Sequence, residues 1–169
     1  MTGGRIALAM LWLVSAIAVQ GALLSRLTFL GPHPDLVLVV VLSIALYDGP
    51  LAGAVSGFFA GFAVDLLSDH VLGVGALVLC VAGWATGTVR DYYDRFSATT
   101  PIVIIAAGSA LATLCLGLAL KLLGDPRIAW SSLASDVPRI ALYDAVLTPF
   151  VFAAVSALNR RVDPNVREW

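Results

Sequence analysis

The residues best suited to chemistry are carboxylates and imidazoles set in or beside apolar sequence: Asp35, Asp65, Asp69 and Asp144, with His33 and His70. Asp65, Asp69 and His70 form the densest group. Two acids four residues apart stack on one face of a helix, and oxygen and nitrogen donors are what a divalent metal takes. One histidine and two aspartates make a sparse set, however, and Ser68-Asp69-His70 also reads as a polar turn, so no metal and no other cofactor is expected. Asp144 stands inside the apolar run RIALYDAVLTPF. A carboxylate in hydrocarbon is costly and must face protein or the interface. Either Tyr143 and Ser or Thr hydroxyls satisfy it, or it serves as a proton or substrate ligand. The second role needs a cation nearby, and the apolar runs offer only Lys121 and Arg139 at their ends.

Nucleophiles lack partners. Ser15, Ser43, Ser56 and Ser109 lie in apolar runs with no neighbouring His or Lys to act as base. No HExxH, GxSxG, phosphate-binding loop or nucleotide-binding glycine motif occurs, so no catalytic residue is assigned and no enzyme is expected. Cys80 and Cys115 are far apart, each in an apolar run, and read as small packing residues.

The elements that must position these side chains are membrane helices. The 169-residue chain is 60% hydrophobic and 12% charged, whereas an ordinary soluble domain carries about 25% charged residues. Its net charge of −1 offers no basic surface for nucleic acid. Five runs approach the roughly 20 helical residues that cross a bilayer: 6–24, 51–67, 71–89, 101–123 and 137–158. A sixth, 36–47, is shorter and is bracketed by Pro and Gly; a short helix shielded by neighbours can complete the bundle because buried backbone need not meet lipid. The expectation is one all-α membrane domain of six helices over residues 1–169, the second helix short. The start imitates a secretory signal, but its apolar run is long and more spans follow, so it is taken as a retained span. With the N-terminus inside, Arg5, Arg90, Arg95, Arg160, Arg161 and Arg167 fall on the cytoplasmic side, against Arg26, Lys121, Arg127 and Arg139 outside, which favours cytoplasmic termini. Trp130, in the loop between the last two spans, suits an interfacial helix.

Gly49, Gly53, Gly57 and Gly61 precede Asp65 in steps of four. Such spacing cuts a groove along one side of the third helix, and membrane helices associate through small residues that let backbones approach. The third span is therefore expected to be the central, most closely packed helix. Its groove serves either packing within the chain, the favoured reading, or the grip of another protein's helix.

The order PDLVLVVVLSIALYDGP, then GAVSGFFAGFAVDLLS, then LGVGAL, with LYDAVLTPFVF near the end, resembles the rod shape-determining protein MreD family. The matching positions are Pro34, Asp35, Gly57, Gly61, Asp65, Leu66, Gly73 and Ala76, with Tyr143 and Pro149 in the last span; the family often has Asn where this chain has Asp144. The resemblance implies a six-helix bundle similar to the substrate-binding components of energy-coupling-factor transporters. It also implies a non-enzymatic scaffold of peptidoglycan elongation in the bacterial inner membrane. The partner implied is MreC, and beyond it RodA, its penicillin-binding transpeptidase and the MreB filament, with a homodimer also open. On this reading Gly53, Gly57, Gly61 and Gly73 pack helices or receive a partner, while Pro34, Asp35, Asp65, Asp144 and Pro149 are polar or helix-shaping positions. The alternative is a small-molecule transporter or capture component, with a cavity near the outer face bordered by Asp35, Asp65 or Trp130.

Overall fold

The computed structural model describes residues 3–27, 34–68, 72–92, 99–124 and 130–162. They form six α-helices: α1 (Gly3–Leu27), α2 (Leu36–Asp48), α3 (Pro50–Leu67), α4 (Val74–Thr88), α5 (Thr99–Leu122) and α6 (Trp130–Val162). A 3₁₀ turn, Val89–Tyr92, follows α4. The last helix is longer than the expected 137–158. It starts at Trp130 and runs on without a break, so Trp130 opens α6 rather than a separate interfacial helix.

The centre of the bundle is α2, not α3. Val37 to Leu46 are all buried, and α2 touches α1, α3, α4, α5 and α6. The cause is visible in its composition: LVLVVVLSIAL has no polar face to show to anything, and a helix that is apolar all round belongs in the interior. At 13 residues it is about 20 Å long, too short to cross lipid unaided; its neighbours cover it instead. Gly49, with φ 98°, makes a one-residue junction to α3, and Pro50 follows at the first helical position, where its missing N–H costs nothing.

The outer faces are apolar. Leu51, Phe58, Phe59, Phe62 and Leu66 of α3, Val103 and Leu111 of α5, and Leu142, Val146 and Phe150 of α6 are all exposed. Apolar exposure on this scale suits lipid and not water. Three helical stretches are long and apolar enough to cross a membrane: Pro50–Leu67, Thr99–Leu122 and Ser135–Ala157.

Candidate functional site

Helices α3 and α4 meet backbone to backbone. A side chain added at Gly53 would overlap the Gly83 carbonyl, and one at Gly57 would overlap the Leu79 carbonyl. At Gly61 it would stand 2.6 Å from Ala76 Cα. The relation is mutual, because side chains at Gly83 and Gly87 would strike Gly53 and Pro50. The glycine ladder of α3 is thus occupied by a second ladder on α4, inside the chain. Gly73 is different in kind. Nothing lies within 4 Å of where its side chain would be, but its φ is 95°, the left-handed region that glycine enters without steric penalty.

Asp65 ends the ladder and joins the same two helices. It is buried, at 5% exposure, and its Oδ2 accepts from the Gly73 N–H at 2.8 Å and from the Ala76 N–H at 3.2 Å. These are the N-cap and third-position amides of α4, which a helix cannot satisfy internally. The carboxylate also faces the positive end of the helix dipole. Gly75 makes room, since a side chain there would overlap Asp65 Oδ1. Asp65 is a capping group supplied by another helix.

Asp144 repeats the device at α2. Its side chain is fully buried, and Oδ1 accepts from the Asp35 N–H at 2.9 Å, while Ser109 Oγ donates to Oδ2. Asp35 is the N-cap of α2 and accepts from the Leu38 N–H at 3.1 Å. Gln20 of α1 accepts from the Val37 N–H at 2.9 Å. One node therefore ties α1, α2, α5 and α6 around the start of the central helix. Of the expected partners for Asp144, the hydroxyl is Ser109 from α5; Tyr143 points outward and is exposed. Pro34 precedes the node and is half-buried, and Pro149 lies on an exposed part of α6.

Asp69, His70 and His33 lie outside the described residues. Among the described residues no group of three metal-ligating side chains occurs. Asp35 and Asp65 border a cavity of about 90 Å³ together with Ser68, Gly61, Gly75 and Leu120. The indole N–H of Trp12 is buried with no hydrogen-bond partner among the described residues.

Sequence reasoning missed Gln20, Ser109 and the second glycine ladder. The spacing of Gly83 and Gly87 carried the same four-residue signal as α3. Gln20 and Ser109 carried none, because a lone amide or hydroxyl in an apolar helix does not name its partner.

A buried central helix, apolar outer faces, three helices able to cross a bilayer and carboxylates used as remote helix caps define an α-helical membrane protein. Within that class the chain belongs to the family described as rod shape-determining protein MreD, whose sequence model matches residues 4–160. No curated protein and no solved structure matches the chain.

Proposed function

We propose that this protein is a non-enzymatic scaffold of the bacterial cell-elongation complex, set in the inner membrane with both termini in the cytoplasm, and that it binds MreC through transmembrane helix surfaces. Family membership over residues 4–160 supports a role in rod-shape determination. The observation that carries the scaffold reading is the use of the two membrane carboxylates: Asp65 and Asp144 both accept hydrogen bonds from helix N-termini. Groups held in that way serve architecture. RodA with its transpeptidase, MreB and a second copy of the chain are further partners on this reading. The bundle built around a buried second helix is read as related in architecture to the substrate-binding components of energy-coupling-factor transporters.

The partner surface on this reading is not the α3 groove, because α4 fills it. The exposed faces of the bundle are what remains for a neighbour.

A capture or transport role draws on two hollows. The cavity between Asp35 and Asp65, of about 90 Å³, falls below the range of about 300–1,000 Å³ for small-molecule sites. The groove between α4 and α5, of about 570 Å³, has that size, but its lining is almost wholly apolar and borders neither membrane carboxylate, so the scaffold reading is the stronger. Depletion tests the two. Rods that round into spheres, together with stable co-elution of MreC in detergent, support the scaffold; unchanged shape with a nutrient requirement refutes it in favour of capture.

A further inference from the structure

Hydrogen bonds tie the helices into two sets. Asp65 of α3 holds the first amides of α4, and the two glycine ladders press those helices together. Asp144 of α6 holds the start of α2, Ser109 of α5 donates to the same carboxylate, and Gln20 of α1 accepts from Val37. The first set is a two-helix hairpin and the second a four-helix body. The chain passes from body to hairpin at Gly49, whose φ of 98° lies in the region that glycine enters without steric penalty. The other end of the hairpin lies at the same place, since a side chain at Gly87 would strike Pro50 and one at Gly49 would stand 3.2 Å from the Arg90 guanidinium. Both chain connections therefore leave from one end, and the turn around Gly73 is the free end.

Packing between hairpin and body loosens away from Gly49. Four residues to either side of it α2 and α3 are in close contact: a Cβ at Gly53 would stand 2.5 Å from Ala45 Cβ. At the far end of the same two helices, Asp35 and Asp65 stand on the walls of a cavity of about 90 Å³. The two helices make a wedge with its apex at Gly49. The hairpin's other flank borders a groove of about 570 Å³ between α4 and α5. Within the hairpin there is no such slack, because a methyl group at Gly53, Gly57 or Gly61 would overlap α4. Close-packed elements move as units, and a hinge is a few residues at an element's end that absorb the change in φ and ψ.

We propose that α3 and α4 form one rigid hairpin that swings about Gly49 against the body of α1, α2, α5 and α6, opening and closing the cavity between Asp35 and Asp65. The bundle then has two arrangements, and any neighbour that prefers one shifts the population toward it. Leu66 lies 17 residues beyond Gly49, about 25 Å along the helix, so a rigid-body rotation of about 15° carries it about 6 Å.

Pulsed electron spin resonance on the full chain in lipid nanodiscs tests the hinge. Cys80→Ser and Cys115→Ser remove the native thiols, and spin labels go on pairs of exposed residues. Leu66→Cys with Leu122→Cys spans the seam at the far end, Leu51→Cys with Val103→Cys spans it near the hinge, and Leu66→Cys with Leu77→Cys stays within the hairpin. The far pair is expected to show two distances about 6 Å apart, while the other two pairs each show one. Gly49→Ala strains the hinge and should change the proportions of the two far distances, leaving the hairpin pair as it was. Phe62→Cys with Leu123→Cys repeats the far measurement should a label at Leu66 disturb the fold. A single narrow distance for the far pairs, or an equal spread within the hairpin or near the hinge, overturns the proposal. Unchanged proportions in folded Gly49→Ala overturn Gly49 as the pivot.

Discussion

Asp144 in α6 accepts a hydrogen bond at 2.9 Å from the backbone N–H of Asp35, a residue 109 positions earlier in the chain. That bond fixes where the buried α2 begins. It also explains how an acid tolerates a membrane interior: its oxygens face an amide and the Ser109 hydroxyl, not hydrocarbon.

The first prediction concerns charge at this node. Asp144→Asn keeps an acceptor for the Asp35 N–H, and its amide can donate to Ser109 Oγ. It should fold with a stability change within about 1 kcal/mol, the net worth of one hydrogen bond. Asp144→Ala strands both donors and should cost about 1–3 kcal/mol for each. Denaturant-dependent unfolding in detergent compares the two, and a double-mutant cycle with Ser109→Ala isolates the pair.

Asp65 should behave as a cap. Asp65→Ala leaves the Gly73 and Ala76 amides without an acceptor, in a buried site where each orphaned group costs about 1–3 kcal/mol. The loss should be local at first, seen as faster hydrogen exchange at the start of α4 while α2 stays protected. Uniform protection in Asp65→Ala would show that α4 needs no external cap.

Glycine positions should sort by contact. Gly57→Ala drives a methyl group into the Leu79 carbonyl and should cost about 1–3 kcal/mol, as overpacking does. Gly21→Ala meets nothing within 4 Å, sits in α1, and should be neutral or stabilising by up to about 1 kcal/mol. Thermal unfolding of the two variants side by side checks the order.

Much of this bundle was legible because its signals are periodic or compositional. The four-residue glycine spacing announced close packing, and the shortness of α2 between its Pro and Gly flanks required neighbours to shield it. Its lack of any polar face also marks it as central, yet the expected centre was α3: a groove advertises closeness to one neighbour, α4, and says nothing of how many helices surround it. Pro50 and Gly49 marked the α2–α3 junction to within a residue, since α2 ends at Asp48 and α3 begins at Pro50 where 47 and 51 were expected; Gly49, counted as the first step of the groove, is the junction itself. The node at Asp144 was half legible. Its cost in a membrane required partners, but Ser109 and Gln20 come from helices whose rotation about their own axes only the assembled bundle sets. Gly73 reads in sequence like the other glycines, although it serves backbone conformation and packs against nothing.

The central claim is that the membrane acids act by building the bundle, and cell shape tests it most directly. Cells depleted of the native protein should recover rod shape when supplied with Asp144→Asn at wild-type abundance and stability. Spherical cells carrying that folded, fully expressed variant would contradict the account, because only a role for the ionisable group itself could then separate the two side chains.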